Sequence, residues 1–430
     1  MSGGVSGERR AVITGIGLFT SVGRSLPEVW EALLNGRSGL RHVAEDHPAY
    51  GSLPYAGMAG EVDAAALVPG PEIRTVDRYV LMALQCADDA LADAGIEVGR
   101  DVDEFRAACI VSGTGGLAAL ERQVVARTQK GRLGVSPYLL PGMLPNMGAA
   151  RIAIRHHMRG YSSSIGTACA AGAQSLGEGL RLLRSGEADV VVCGCSEAPL
   201  FPTLADTFTN ARAIARDWAD PTQASRPFDQ RRNGFVLAEG AGVFVLERPE
   251  HAEARGATGY ADIIGWGMTT DAHHPTTPKP DGAAQAEAMS RALRDAGVDS
   301  GDVGYLNAHG TGTKLGDIAE SLAIRTVFAD CPPVSSTKAV TGHLLGASGV
   351  VEAAAVALAL RSGVLPPTYN LDDPDPACDL DHIPNKPRAA PIDVAMTNSF
   401  GFGGHNVSLV MAQPSTARKR GFAVSLKEGS

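Results

Sequence analysis

Short apolar runs alternate with longer stretches of helical apolar spacing along the chain. RRAVITGIGLFTSVG, AACIVSGTGG and EADVVVCG are apolar or β-branched runs that predict buried strands, the first running into a glycine turn. DRYVLMALQCADDALADAGI has helical apolar spacing and predicts a helix that ends at Gly95. Because strands buried on both faces belong to parallel sheets covered by helices, this alternation predicts an α/β fold.

Two helices of small residues indicate an internal repeat. The first follows SIGTACAAGAQ, the second is HLLGASGVVEAAAVALALRSG, and the letters LRSG end both, at 183–186 and 360–363. A helix that is apolar on almost every side belongs inside a protein. We therefore expect two similar α/β halves packed back to back, each with one buried helix; two ordinary buried helices are the alternative.

The boundary between the halves is predicted at LERPEHAEARGATGYADI, where a strand ends and a charged helix begins. This division gives an N-terminal half at residues 8–255, a C-terminal half at 256–412 and a tail at 413–430. The segment does not have the composition of a disordered linker, so we expect the halves to share one core.

Composition and charge narrow the class of protein. With 430 residues and 44% hydrophobic residues, the chain can bury one large core or two related ones. A net charge of −9 gives no sign of nucleic-acid binding. No run approaches the roughly 20 apolar residues that cross a bilayer, so no membrane contact is expected. Because the start lacks the apolar core of a secretory signal, we expect a cytoplasmic location.

The seven cysteines are scattered and odd in number, so a disulfide framework is not expected. Cys193 and Cys195 form a C-x-C after a strand, but no second Cys/His pair completes a zinc set, which favours two packed thiols. Cys169 stands where a strand gives way to a small-residue helix. Backbone N–H groups at a helix start favour a thiolate and can receive an oxyanion, although a buried structural cysteine also fits this segment.

Three further segments place polar side chains where α/β sheets bind ligands. NAHGTGTKLGD sets His309 between a strand end and a glycine–threonine loop, and Lys338 and His343 stand at the start of the second buried helix. TNSFGFGGHN is a glycine-rich turn, which suits a backbone that bends sharply close to a ligand. Each segment ends a strand or begins a helix, and ligands of open parallel sheets bind at those places.

With these motifs the chain resembles the β-ketoacyl–acyl carrier protein synthases of the type II elongating kind, in the thiolase-like superfamily. It also resembles the ketosynthase subunits of type II polyketide systems. The similarity runs from VITGIGLFTSVG to SFGFGGHNVSLVM and includes ASRPFDQRRNGFVLAEGAGVFVLE. It implies duplicated thiolase-like α/β halves in a five-layered αβαβα arrangement. It also implies a dimer and no cofactor, since phosphopantetheine enters as the substrate arm of an acyl carrier protein.

The resemblance assigns the reacting groups. Cys169 is the nucleophile that takes an acyl chain from a phosphopantetheine thioester, and the backbone N–H groups of Cys169 and Phe402 hold the oxyanion. His309 and His343, neutral and donating through Nε2, stabilise the enolate that a malonyl extender forms when it loses CO2. The implied reaction is a decarboxylative condensation that leaves a β-ketoacyl chain on the carrier protein, in fatty acid or type II polyketide biosynthesis.

The same resemblance implies supporting roles in the C-terminal half. Lys338 pairs with Glu352 of the buried helix and sets the position and electrostatics of the histidines; a purely structural ion pair is the alternative. Thr311 and Thr313 hydrogen-bond the pantetheine amides. A lone G-T-G-T loop would carry little information without the family pattern.

Phe402 resembles a gate that swings aside once the cysteine is acylated. Gly401, Gly403 and Gly404 supply its hinge, and Phe400 precedes them in the same substrate-binding loop. The loop is therefore expected to move during the reaction.

Two positions bear on the acyl chain and on the carrier protein. Thr114, in VSGTGGL, stands where a bulkier aliphatic residue often closes the acyl pocket, so a longer or functionalised chain is one expectation. Arg212, in TNARAIARD, falls where the family sets a basic side chain against the acidic carrier protein; a solvated arginine is the alternative. The choice between fatty acid elongation and a specialised pathway stays open.

Other classes of protein stay open on the sequence. A chain-length factor, the non-catalytic partner of a polyketide ketosynthase, looks alike but lacks the nucleophile, whereas Cys169 is present. A thiolase uses a second cysteine in the C-terminal loop, which here reads GFGGHN. A cysteine hydrolase needs water at the acyl-enzyme. The dimer is either a homodimer or a heterodimer with a chain-length factor.

Overall fold

Strands and helices alternate through residues 10–74 and 76–413, which are the residues that this computed structural model describes. The strands are β1 (Ala11–Thr20), β2 (Leu40–His42), β3 (Tyr55–Gly57), β4 (Ala107–Ser112), β5 (Ser162–Ser163), β6 (Val190–Glu197), β7 (Gly240–Glu247), β8 (Asp262–Thr270), β9 (Tyr305–Asn307), β10 (Val334–Ser335), β11 (Val364–Leu365), β12 (Arg388–Ala389), β13 (Val394–Gly401) and β14 (His405–Ala412). The helices are α1 (Leu26–Asn35), α2 (Ala64–Leu67), α3 (Arg78–Ala94), α4 (Leu117–Lys130), α5 (Leu139–Met143), α6 (Met147–Arg155), α7 (Ala171–Arg184), α8 (Pro202–Asn210), α9 (Pro249–Ala254), α10 (Ala283–Ala296), α11 (Lys314–Val327), α12 (Lys338–Thr341) and α13 (Ser348–Ser362).

Two sets of five strands join into one sheet, in the order β10-β9-β13-β14-β8-β1-β7-β6-β4-β5. The sets meet where Ala11 and Val12 of β1 pair with Ile263 and Asp262 of β8. In each set the first and last strands in sequence lie side by side and antiparallel at this junction. The other three strands follow in the same order and with the same directions. The shared topology confirms the predicted duplication.

Helices cover both faces of each set of strands. α3 and α6 lie on the outer face of the N-terminal set, and α10 and α11 lie on the outer face of the C-terminal set. α7 and α13 fill the space between the two sets and form the central apolar core. The layers are therefore outer helices, the N-terminal set of strands, the central helices, the C-terminal set of strands and outer helices. This succession is the predicted five-layered arrangement.

The glycines of β1 serve close packing, and the strand runs into a turn that ends at Gly23, as predicted. Gly15 and Gly17 lie inside the strand. A Cβ on them would stand 2.1 Å from the carbonyl oxygen of Ala90 and 2.0 Å from that of Cys86, both on α3. The Gly-Trp-Gly of β8, at 265–267, meets α10 in the same way. The absence of a side chain therefore lets each outer helix approach its strand in both halves.

Both central helices begin in the same unusual way. Ala168 and Leu345 have positive φ values of 49° and 50°, and each begins a 3-10 turn that leads into α7 or α13. Each stands fifteen residues before an LRSG sequence. Positive φ is strained for a residue with a side chain and persists only where the surrounding structure holds it. The repeated backbone makes the residues that follow, Cys169 and Gly346, equivalent in position.

The segment Leu345–Ser362 is long and apolar enough to cross a membrane by length and composition alone, so the expectation that no run approaches this length is wrong. Most of it is buried inside the protein, as in a core helix. It contains α13, so the predicted burial of this helix is confirmed.

The connection from the first set of strands to the second runs from the end of α9 to the start of β8. The domain division predicted between residues 255 and 256 falls in this connection and stays a prediction. Of the tail predicted at 413–430, only Gln413 is among the described residues.

Candidate active site

Cys169 lies in the 3-10 turn before α7, directly after Ala168, and is 8% exposed. Burial raises the pKa of its thiol to about 12, although Lys338 and the backbone N–H groups of Phe402 and Cys169 act in the opposite direction. The cost of desolvating the charge exceeds the stabilisation by these groups. The backbone N–H groups thus favour the thiolate as expected, but burial outweighs them and keeps the thiol protonated in the resting chain.

The reactivity of this thiol should depend steeply on pH. Only the thiolate is alkylated, so the rate at Cys169 should rise about tenfold per pH unit between about pH 7 and about pH 9. Iodoacetamide labelling followed by peptide mass spectrometry measures that rate. The control is the chain unfolded in urea, whose cysteines should level off near a pKa of about 8.5. A plateau in the folded chain over this range would contradict the raised pKa.

His343 makes a direct polar contact with the sulfur. Its Nε2 lies 3.2 Å from Cys169 Sγ, and its Nδ1 lies 3.1 Å from Ser348 Oγ. Phe235 packs edge-on against the imidazole with 5.2 Å between ring centroids. Burial, and then the charge of Lys338, lower the pKa of His343 well below its usual value. The imidazole is therefore neutral near pH 7.

His309 stands beside His343, with 5.5 Å between the ring centroids and the planes nearly perpendicular. Phe400 packs on its other side at 5.8 Å. Burial, and then the charges of Lys338 and His343, lower the pKa of His309 well below its usual value. Two neutral imidazoles thus lie next to each other, and one of them contacts the sulfur.

Two buried carboxylates of α11 hold the loop that carries His309. Glu320 accepts hydrogen bonds of 2.8 Å from the backbone N–H groups of His309 and Gly310, and Asp317 accepts one of 3.2 Å from Gly312. Burial raises the pKa of Glu320 to about 7 and that of Asp317 to about 6. Sequence reasoning missed both carboxylates. Acidic residues in the first two turns of a helix after a glycine loop are the signal that indicates them.

Lys338 connects the histidine loop to the central helix. Its Nζ donates to the carbonyl oxygen of His309 at 2.6 Å and forms an ion pair with Glu352 of α13. Both side chains are almost fully buried. Burial raises the pKa of Glu352 to about 7, and Lys338 opposes this shift. Lys338 begins the separate short helix α12, so its predicted place at the start of the long buried helix is wrong.

The hairpin between β13 and β14 brings the backbone of Phe402 to the nucleophile. Its backbone N–H and that of Cys169 both act to lower the pKa of the Cys169 thiol. A Cβ on Gly401 would stand 2.6 Å from the carbonyl oxygen of Thr167 and 3.1 Å from the backbone nitrogen of Cys169. Glycine at 401 is therefore what lets the hairpin approach this closely. The predicted oxyanion donors lie together.

The side chain of Phe402 stands at the tip of the hairpin and is 42% exposed. Its ring is tilted against Phe208 of α8 with 6.3 Å between centroids. Gly403 and Gly404 form the turn with φ values of 87° and 75°. An exposed ring next to two glycines fits the predicted gate, whose movement stays a prediction.

Thr311 and Thr313 lie side by side on the loop that carries His309. Their hydroxyl oxygens are 3.1 Å apart. Gly310 and Gly312 alternate with them at φ values of 28° and 82°. The loop thus presents two hydroxyls next to one of the imidazoles, and binding of pantetheine amides by them stays a prediction.

Thr114 is exposed in this chain and is fixed by a carboxylate that sequence reasoning missed. Its hydroxyl donates to Glu197 at the end of β6, at 2.6 Å, and its backbone N–H also points to that carboxylate at 3.2 Å. Burial raises the pKa of Glu197 to about 7. Glu197 also raises the pKa of Cys169, so it lies near the nucleophile. The role of Thr114 in the acyl pocket stays a prediction.

Arg212 follows α8, the helix that carries Phe208. It is exposed, has a φ of 55°, and makes no side-chain hydrogen bond or ion pair among the described residues. The guanidinium of Arg212 is unpaired and follows the helix that contacts the gate. This position is compatible with both predictions, a contact with the carrier protein and a solvated arginine.

Comparison with known families identifies the family of the chain. The family description "Beta-ketoacyl synthase, N-terminal domain" matches residues 8–252, and "Beta-ketoacyl synthase, C-terminal domain" matches residues 260–372. The chain belongs to the beta-ketoacyl synthase family. As a beta-ketoacyl synthase it is an acyltransferase of the condensing type with the thiolase-like fold, as the sequence predicts.

Named relatives of this beta-ketoacyl synthase support the same conclusion. It is 40% identical to 3-oxoacyl-[acyl-carrier-protein] synthase 2 of Synechocystis, over 94% of this chain and 97% of the relative. It is 41% identical to the protein of the same name from Rhizobium meliloti, over 94% and 98%.

Solved structures of beta-ketoacyl synthases have the same fold. One is described as a type II PKS acyl-carrier protein in complex with its ketosynthase bound to the hexaketide. It has a TM-score of 0.87 and 32% identity, over 94% of this chain and 100% of that one. The ishigamide ketosynthase/chain length factor has a TM-score of 0.86 and 34% identity, over 94% and 99%.

Proposed function

We propose that this synthase joins an acyl chain held on Cys169 to a malonyl extender carried by an acyl carrier protein, with loss of CO2. The observation that carries the proposal is the 3.2 Å contact of Cys169 Sγ with His343 Nε2, with His309 adjacent to that imidazole. The relatives named 3-oxoacyl-[acyl-carrier-protein] synthase 2 support the same reaction.

The first step is acyl transfer. The sulfur of Cys169 attacks the thioester carbonyl, the carbonyl oxygen becomes an oxyanion, and the N–H groups of Cys169 and Phe402 donate to it. The bond to the pantetheine sulfur then breaks. The thiol proton of Cys169 ends on that departing sulfur, so the carrier leaves as a thiol and the chain is bound as a new thioester.

The second step is decarboxylation and condensation. The malonyl carboxylate leaves as CO2, and its electron pair forms an enolate whose oxygen accepts hydrogen bonds from Nε2–H of His309 and His343. The enolate carbon attacks the acyl carbonyl on Cys169. The carbon–sulfur bond breaks, the cysteine regains a proton from solvent, and the product is a β-ketoacyl chain on the carrier. Neutral imidazoles suit this step because each can donate without carrying a charge.

Mass spectrometry with two substrates tests the proposed reaction. Incubation with an acyl-carrier donor alone should add the acyl mass to Cys169, and later addition of malonyl-carrier should remove that mass and give a β-ketoacyl-carrier. Absence of the adduct would indicate a chain-length factor. A product made from an acetyl donor would indicate a thiolase, and free acid would indicate a hydrolase.

The proposal includes docking of the carrier protein next to Arg212. Because opposite charges steer and hold the partner, Arg212→Glu should lower kcat/KM for a carrier-bound acyl donor about tenfold and leave a small pantetheine thioester unaffected. The control is Lys386→Glu, the same change of charge at an exposed, unpaired cation among the described residues of the C-terminal half. An equal loss of kcat/KM with both donors in Arg212→Glu, or the same loss in Lys386→Glu, would show that Arg212 does not contact the carrier protein.

The proposal also includes a dimer formed along β5, the edge strand of the sheet, in a cytoplasmic setting and with no cofactor. An unpaired sheet edge together with exposed apolar side chains is typical of a protein interface. The helices α4 to α6, which precede β5, expose such side chains: Leu117, Leu120, Val124, Val125, Leu140 and Ile154. The second chain is either a copy or a chain-length factor, the pairing named for the ishigamide ketosynthase.

A further inference from the structure

Ser348 is a buried polar residue that neither the sequence motifs nor the proposed reaction uses. It is the first residue of α13 and is 2% exposed. Its Oγ lies 3.1 Å from Nδ1 of His343 and accepts a hydrogen bond of 2.9 Å from the backbone N–H of Leu344. The hydroxyl therefore joins the backbone before the helix to the imidazole that contacts Cys169.

The hydroxyl of Ser348 has one proton, which needs an acceptor. Leu344 N–H occupies a lone pair of the oxygen, and among the described residues the remaining partner is Nδ1 of His343. A serine in a helix often donates to the carbonyl four residues earlier, but Ser348 makes no such bond. Because a buried hydroxyl proton without an acceptor is costly, the proton is directed to Nδ1.

A neutral imidazole carries one proton, so a hydrogen bond accepted at Nδ1 leaves the proton on Nε2. We propose that Ser348 is a positioning residue that holds His343 in the Nε2–H form, facing Cys169 Sγ at 3.2 Å. In the condensation, the same N–H faces the extender's thioester oxygen. The contact of this N–H with the extender rests on the proposed function, whereas the tautomer is a property of the chain alone.

The internal repeat shows that this helix start does not need a serine. Ala171 begins α7 three residues after Ala168, as Ser348 begins α13 three residues after Leu345, with the same backbone before both. An alanine is therefore compatible with this local fold. The hydroxyl of Ser348 is not needed to begin the helix, which points to its contact with the imidazole of His343 as its role.

His309 provides a contrast within the site. Its Nδ1 is buried and has no hydrogen-bond partner among the described residues. No hydrogen bond at Nδ1 therefore determines which ring nitrogen of His309 carries the proton. Of the two imidazoles, the one with a fixed tautomer is the one in contact with the nucleophile.

Nitrogen NMR of the side chains tests the tautomer directly. With 15N-labelled histidine, and with His343→Gln to identify the signals, His343 should show a protonated Nε2 and an unprotonated Nδ1 near pH 7.5. Ser348→Thr, which keeps the hydroxyl, should retain this spectrum, and Ser348→Ala should give a mixture of tautomers. A proton on Nδ1 in the unchanged chain, or an unchanged spectrum in Ser348→Ala, would overturn the proposal.

Kinetics separate positioning from a merely structural role. Ser348→Ala should lower kcat for malonyl decarboxylation about tenfold at unchanged KM, because the donor is misplaced part of the time. Acylation of Cys169 should change less than about threefold, since backbone N–H groups hold that oxyanion. Ser348→Thr should recover the decarboxylation rate. Equal loss of both steps in Ser348→Ala would overturn the positioning role.

Ser175→Ala is the matched control for loss of a buried hydroxyl. Ser175 lies on α7 and donates to the carbonyl oxygens of Gly172 and Gly194, away from the imidazoles. This variant should keep the decarboxylation rate, and a loss equal to that of Ser348→Ala would overturn the proposal. If the unchanged chain does not decarboxylate malonyl donors, the proposed function fails, while the NMR result still decides the tautomer.

Discussion

Cys169→Ala should abolish the acyl adduct and lower condensation at least about 10³-fold, because the acyl chain then has no nucleophile to receive it. The change leaves in place His309 and His343, the two imidazoles that we propose stabilise the enolate in the other half of the reaction. Decarboxylation of a malonyl donor should therefore continue. Intact-mass spectrometry measures the adduct, product analysis measures condensation, and release of CO2 measures decarboxylation.

Cys193→Ala is the control for the loss of a buried thiol. Cys193 is free and fully buried in β6, where its sulfur lies near Gly179 of α7. This variant should keep both activities, because its sulfur does not contact the imidazoles. Condensation that survives in Cys169→Ala, or an acyl adduct on another residue, would refute the assignment of the nucleophile.

Lys338→Met should lower the free energy of unfolding by about 3–5 kcal/mol, because it leaves the buried carboxylate of Glu352 without its counter-charge. It also removes the hydrogen bond to the carbonyl oxygen of His309, so decarboxylation should fall as well. Denaturant unfolding measures the stability, and release of CO2 from a malonyl donor measures the chemistry.

The double variant Lys338→Met, Glu352→Leu separates the two predicted roles of the ion pair. Replacing both buried charges by apolar groups should recover most of the lost stability. If the pair sets the position and electrostatics of the histidines, decarboxylation stays low in this stable protein. Full recovery of the rate would show instead that the pair is structural only.

The residues of the candidate active site can be recognised in the sequence because each belongs to a short local pattern. Cys169 stands between a strand and a small-residue helix, and His309 stands between a strand end and a glycine–threonine loop. The ends of strands in an α/β fold meet at common edges, so local patterns suffice to gather such groups. The two LRSG sequences likewise indicate the duplication that the strand order shows.

Contacts between distant segments cannot be predicted in this way. Glu197 is the last residue of β6, and only the fold brings Thr114 to it. Glu320 is one of the acidic residues of a helix until the fold sets it against the backbone of His309. The direction of the pKa shift of Cys169 could not be predicted for a related reason. The helix start is local, whereas the burial that outweighs it comes from apolar side chains of distant segments, among them Phe208, Phe235 and Leu345.

The matching starts of the two central helices explain why a duplicated chain has a single reactive centre. Gly346 occupies the place that Cys169 holds in the other half, and a Cβ there would stand 2.9 Å from both Cys195 Sγ and Glu197 Oε1 and 3.0 Å from the carbonyl oxygen of Ala168. The pseudo-symmetric position is thus closed to a second thiol. One half provides the sulfur and the other the imidazoles, so neither half expressed alone would form a working enzyme.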